Sequence, residues 1–130
     1  MSALSRDQKI AAVVRVSRWD KLSRSDFHDL LTPECEYLNM PLPQMKCSGP
    51  DQAYDQLSSF GNGWIMTELD VKHIACEGDI VLIERSERFK RTTDGTVVDL
   101  HSMGAFEFEN GKISRWRDYF DLTAIQAFFS

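Results

Sequence analysis

The stretch Val81-Leu-Ile-Glu-Arg-Ser-Glu-Arg-Phe89 decides the fold. Its alternation is that of a β-strand, with Val81, Ile83, Arg85, Glu87 and Phe89 on one face. That face is apolar at three positions and charged at two. Near the C-terminus Ser114, Trp116, Asp118 and Phe120 share a face of a second strand, with Asp118 the odd member. Charges that face an apolar interior are costly unless they are paired or used.

Working outward, the rest of the C-terminal half reads as strand. Residues 64–76 form one long run, turned by Gly78-Asp79 into a second over 80–91. Asp94-Gly95 is a hairpin signal, and a third run covers 96–109. Asn110-Gly111, the strongest hairpin dipeptide in the chain, leads into a fourth run over 112–121. A short helix over 122–129 closes the chain, with Asp121 as its cap.

Toward the N-terminus the period becomes helical. Ser5 or Asp7 caps a helix to about Lys21, whose apolar stripe is Ile10, Val13, Val14, Val16 and Trp19. Ser23 or Ser25 opens a second, short helix that carries Phe27, Leu30 and Leu31 and ends at Pro33. A short strand over 35–40 gives way to Pro41-Leu-Pro43, because proline cannot donate to a ladder. Gly49-Pro50-Asp51 starts a third helix to about Phe60, stopped by Gly61-Asn62-Gly63. Helices first and an antiparallel meander after them is an α+β pattern. The expected architecture is a curved, mostly antiparallel sheet, its concave face covered by the N-terminal helices, enclosing an apolar pocket. A single domain over residues 1–130 is expected, with no linker or internal repeat.

The net charge of −5 and the lack of a basic stripe argue against nucleic acid and anionic membranes as partners. No apolar core of a signal peptide stands at residues 1–9, and no stretch is long enough to cross a bilayer. Cys35, Cys47 and Cys76 are odd in number and lack metal-site spacing, so free thiols in a cytoplasmic protein are expected. His28, His73 and His101 are scattered, and none pairs with a cysteine or serine in a nucleophile pattern.

The chemistry therefore rests on the inward charges. Arg85 and Glu87 lie roughly 7 Å apart along one strand. If the last strand brings Asp118 near, the arginine forks between two carboxylates. One reading is a buried ion pair that fixes strand register. The other is an acid–base device, in which Arg85 holds one carboxylate as an anion while burial keeps the other protonated. Tyr37 and Asn39 share a face of the short strand, where a phenol and an amide can hold one water. Leu100, Ser102, Trp116, Phe120 and Ile83 stand nearest in register to the charged trio and are the expected substrate-lining residues, while Phe106 and Phe108 read as core.

Three motifs then carry a resemblance: Tyr37-Leu-Asn39-Met-Pro-Leu-Pro43, Glu84-Arg85-Ser86-Glu87 and Trp116-Arg-Asp118-Tyr-Phe-Asp121, with Gly104 and Gly111-Lys112-Ile113 in place between them. In this order they resemble the limonene-1,2-epoxide hydrolases, over roughly residues 37–121 and more loosely over the first helices. The resemblance implies the cone-shaped fold typified by nuclear transport factor 2. It implies one-step opening of a lipophilic epoxide by water, without metal, cofactor or covalent intermediate, and a homodimer through the outer sheet face, where Val97, Met103 and Ala105 are the outward apolar residues. By position Asp118 would be the general base, Tyr37 and Asn39 would hold the water, and Arg85 would bridge the carboxylates. Glu87 stands where the family has an aspartate acid, one methylene shorter. An isomerase or polyketide cyclase on the same fold, and a non-catalytic binding member, are the alternative readings.

Overall fold

The structure, a computed structural model, describes residues 4–129; the first three residues of the N-terminal stretch lie outside it. Helix α1 spans Arg6–Ser17, closed at its start by a capping box in which Ser5 and Gln8 exchange side-chain-to-backbone hydrogen bonds. It ends earlier than its periodicity predicts. Arg18 leaves helical geometry (φ −96°, ψ 46°), and Trp19–Lys21 is a separate 3₁₀ turn. Val13 and Val16 are fully buried, but Val14 faces solvent.

Helix α2 (Arg24–Leu30) has the same kind of cap, from Ser23 and Asp26. Pro33 does not end it. The chain turns extended at Leu31, and strand β1 runs Leu31–Asn39 with Pro33 inside an irregular stretch between Leu31 and Glu36. Proline is tolerated where the ladder is already broken. After a 3₁₀ turn (Pro43–Met45), the two-residue strand β2 (Cys47–Ser48) pairs antiparallel with β1, an element too short to leave a periodic signal. Helix α3 (Pro50–Phe60) follows with proline in its first turn.

Four long strands complete the sheet: β3 (Trp64–Glu77), β4 (Ile80–Arg91), β5 (Val97–Glu109) and β6 (Lys112–Phe120). Asn110 (φ 53°) and Gly111 (φ 80°) both take left-handed geometry at the β5–β6 hairpin, as a tight two-residue turn requires. The six-strand order is β2-β1-β6-β5-β4-β3. All pairs are antiparallel except β1 with β6, which sets Tyr37 beside Trp116 and Asn39 beside Asp118. Register shifts interrupt β3 after Met66 and Val71 and β6 between Ile113 and Arg115, opposite Glu107 and Phe108, and such bulges bend a sheet.

Helix α1 packs on β3 and β4, α2 on β1 and β6, and α3 on β1 and β2. The main core gathers Val13, Val16, Phe27 and Leu31 against Val81, Ile83, Phe106 and Trp116. A second cluster of Met66, Phe89, Leu100 and Ile125 sits at the other end of the sheet. The closing segment forms helix α4 (Leu122–Ile125), capped by Asp121, and a 3₁₀ turn (Gln126–Phe129). Among the described residues no helix is long and apolar enough to cross a membrane. On the outer sheet face Val97 and Met103 are exposed, beside Leu82 and Tyr119; Ala105 shares that face by register but is covered between its cross-strand neighbours Leu82 and Arg117.

Candidate active site

Strand β4 turns Arg85 and Glu87 inward, and β6 turns Asp118 toward them. All three are buried, Arg85 to 2 % exposure. Arg85 Nη2 donates to Asp118 Oδ1 at 2.8 Å, and Arg85 Nε lies 3.6 Å from Glu87 Oε1. The arginine thus stands between the two carboxylates, hydrogen-bonded to one and paired in charge with the other. Its Nε and Nη1 make no hydrogen bond among the described residues. Desolvation works against the guanidinium's charge, but the fields of Asp118 and Glu87 outweigh it and hold the pKa above its ordinary value.

Gly104, directly opposite Asp118 on β5, makes this geometry possible. A Cβ there would stand 2.8 Å from Arg85 Nη1 and from Phe106 Cε1, and 3.0 Å from Ile83 Cγ2. The glycine makes room for the guanidinium. Gly104→Ala is therefore expected to cost about 1–3 kcal/mol by overpacking. An unchanged urea midpoint for that variant would contradict this.

The two carboxylates have different surroundings. Asp118 Oδ1 receives a second hydrogen bond, from the indole Nε1 of Trp116 at 3.1 Å. Its Oδ2 is left without a protein partner among the described residues, and it is not sealed in. Glu87 is buried to 5 % exposure with one weak hydrogen bond, from Ser102 Oγ at 3.3 Å. Burial pushes its pKa up to about 7, Arg85 opposes the shift, and the Asp118 charge adds to it. Near neutral pH this buried carboxyl is poised between acid and anion.

Parallel pairing of β1 with β6 brings Tyr37 and Asn39 level with Trp116 and Asp118. The Tyr37 hydroxyl donates to Asn39 Oδ1 at 3.2 Å, and its ring packs on Trp116 at 4.4 Å between centroids. Burial, joined by the Asp118 charge, holds the Tyr37 pKa well above the usual phenol value, so it is an un-ionised donor at neutral pH.

A cavity of about 650 Å³ opens onto this group. Tyr37, Asn39, Glu87 and Asp118 all line it, as do Leu100, Ser102 and Phe120. Ile83 and Trp116 do not. Both are fully buried in the main core, Ile83 behind Arg85 and Gly104, and Trp116 sandwiched between Tyr37 and Phe106. Trp116 reaches the site through its indole N–H instead. Most of the apolar wall comes from residues that strand periodicity does not single out: Trp19, Phe60, Trp64, Ile125 and Phe128, with Leu42. Their rings interlock, Phe128 lying 4.6 Å from Phe60 and 4.5 Å from Trp64. The one available signal was the clustering of aromatics at helix ends. Asp55, Gln56 and Ser59 of α3 and the following Asn62 supply polar lining. Among the described residues no group of three or more histidine, cysteine, aspartate or glutamate side chains could hold a metal.

A bent sheet, helices on one face and a two-carboxylate site at the cavity floor define a cone-fold protein of the nuclear transport factor 2 type. The family model for the limonene-1,2-epoxide hydrolase catalytic domain matches residues 9–129. The chain belongs to that family. It is similar to an LEH-like epoxide hydrolase from M. tuberculosis, at 24 % identity and TM-score 0.70, over 94 % of this chain and 89 % of that one. It is also similar to a protein from Jannaschia sp. CCS1 assigned as a SnoaL-like polyketide cyclase, at 18 % identity and TM-score 0.77, over 98 % and 96 % of the two chains. A third is a Catenulispora acidiphila protein with a ketosteroid isomerase-like fold, at 14 % identity and TM-score 0.75, over 92 % and 89 %. At these identities the solved structures establish the fold alone.

Proposed function

We propose that the protein hydrolyses a lipophilic epoxide to a vicinal diol in one step. The observation that carries this reading is Arg85 set between two buried carboxylates of unequal environment, both facing one largely apolar cavity. Water is a poor nucleophile and an alkoxide a poor leaving group. A base and an acid acting together address both in a single transition state. Asp118 takes a proton from a water held by Tyr37 and Asn39. The water oxygen forms a bond to one epoxide carbon as the carbon–oxygen bond breaks. Glu87 delivers its proton to the departing oxygen. Proton transfer from Asp118 back to Glu87, through solvent, resets the site. Arg85 holds both carboxylates in place throughout, and the aromatic wall excludes bulk water and receives the hydrocarbon skeleton. No metal or cofactor enters this chemistry.

A carbonyl-directed proton transfer is the second reading. It is favoured by one observation, the pairing of a neutral phenol with a carboxyl of raised pKa, both of which can donate to a developing oxyanion. Assay of the protein with cyclic and terpene epoxides, and separately of ketones in deuterated water, distinguishes the two. Diol without exchange is expected; deuterium uptake into a ketone without diol would replace the first reading with the second.

The same reading extends to a cytoplasmic homodimer that pairs through the outer sheet face. Exposed Val97, Met103, Leu82 and Tyr119 support it. Sedimentation at micromolar concentration is expected to give twice the chain mass, and a monomer would exclude it.

A further inference from the structure

We propose that Ser102 is a positioning residue for the acid: it decides which oxygen of Glu87 carries the proton that is delivered. This rests on the reading of Glu87 as the acid. From sequence Ser102 was expected to line the substrate pocket. Its place in the ladder gives it another task. On β5 it stands opposite Arg85, so it is the diagonal neighbour of Glu87, within reach of a long side chain.

Two donors converge on the same carboxylate oxygen. Ser102 Oγ donates to Oε1 at 3.3 Å, and Arg85 Nε approaches that same Oε1 at 3.6 Å. A proton on Oε1 would confront both. Oε2 has no protein partner among the described residues, yet it is not among the sealed-off unpaired atoms, and Glu87 lines the cavity. The acidic proton therefore resides on Oε2, the oxygen left to the cavity. The extra methylene of glutamate belongs to the same device. An aspartate at this position would end on the order of 1 Å sooner, short of the serine hydroxyl.

The groups that face Glu87 come from several elements. Arg85 lies on its own strand, Asp118 on β6, Tyr37 on β1 and Asp20 in the 3₁₀ turn after α1, and Asp55 of α3 lines the same cavity. Its direct cross-strand neighbours, Leu69 and Leu100, are uncharged. Ser102→Ala changes none of these charges. It removes only a hydrogen bond to the ionised form, which lowers the acid's pKa. Loss of that bond raises it.

The test is a titration of the Glu87 carboxyl by ¹³C NMR in the wild type, Ser102→Ala and Ser102→Thr. The pH profiles of kcat/KM for diol formation are measured beside it. Ser102→Ala is expected to raise the titration midpoint by roughly 0.5–1 unit. The basic limb of the profile moves upward with it, because hydrolysis needs Glu87 protonated. The kcat falls about tenfold as the proton loses its fixed oxygen. Ser102→Thr, which keeps the hydroxyl, restores all three. A Glu87 midpoint that is unchanged in Ser102→Ala overturns the proposal, as does a Thr variant that behaves like Ala. If the wild type forms no diol from any epoxide, the NMR midpoints alone still decide the role of Ser102, and the failure belongs to the hydrolase reading.

Discussion

Asp118→Asn is expected to lower diol formation on the order of 10³-fold while leaving the fold intact. The amide oxygen can still accept from Arg85 and from Trp116, the two donors that now meet at Oδ1. Packing around Trp116 and Tyr37 is therefore preserved, and circular dichroism should not distinguish the variant. The second oxygen is replaced by an NH₂ group, which cannot take a proton from water. A further consequence reaches across the arginine. The negative charge of Asp118 is one of the causes that push Glu87 upward. Without it Arg85 serves Glu87 alone, and the Glu87 midpoint moves down. A variant that keeps most of its activity would remove Asp118 from the mechanism. One that loses activity without moving Glu87 would remove the coupling through Arg85.

Glu87→Gln is expected to lose diol formation on the order of 10²- to 10³-fold and to make the protein more stable at alkaline pH. The pKa of Glu87 rises from 4.5 to about 7 on folding, with desolvation the main cause. Between those values the folded protein binds a proton that the unfolded chain has released. Stability therefore falls as pH rises from about 4.5 to about 7, and the loss persists above that window. Glutamine carries no charge to bury. At pH 8 the variant should be more stable than the wild type by about 3 kcal/mol, and at pH 4 by almost nothing. Urea unfolding at the two pH values reads the difference directly. An equal effect at both would mean that the burial of this carboxylate is not what Glu87→Gln relieves. The exchange of stability for activity at one buried group marks a site maintained for chemistry.

The half of the chain that builds the sheet was legible because its signals are local. Alternation over 81–89 and the Asn110-Gly111 turn fix which residues face inward, and Arg85, Glu87 and Asp118 do face inward together. The parallel pairing of β1 with β6 was not legible, since the partners stand far apart in sequence and no turn announces them. Yet this pairing sets Tyr37 and Asn39 level with Trp116 and Asp118. The resemblance carried by the three motifs implied only that Tyr37 and Asn39 share a water with Asp118, not how the strands pair. Trp116 and Ile83 were read as pocket wall because periodicity shows which face a residue takes and not how deep it lies. Depth is set by α1, α2 and α3, whose placement over the sheet is a tertiary fact. For the same reason the far wall of the cavity, from Trp19 to Phe128, escaped a reading built on strands. Pro33 misled for a different reason. It reads as a helix stop, but here the helix has already ended and the proline sits in an irregular stretch of strand. Gly104 entered the sequence reading only as part of the family resemblance. It is space for Arg85, a contact visible only once β4 and β5 are in register.

The central claim is that Asp118 and Glu87 drive direct attack of water on an epoxide. Its most direct test is a single turnover in H₂¹⁸O, with enzyme in excess over each of a panel of lipophilic epoxides. Direct attack places ¹⁸O in the diol formed in that first turnover. A carboxylate nucleophile would instead deliver its own ¹⁶O first and take up ¹⁸O into the protein. The account predicts singly ¹⁸O-labelled diol and an unlabelled protein. Unlabelled diol, label in the Asp118 or Glu87 carboxyl, or no diol from any epoxide of the panel would contradict it.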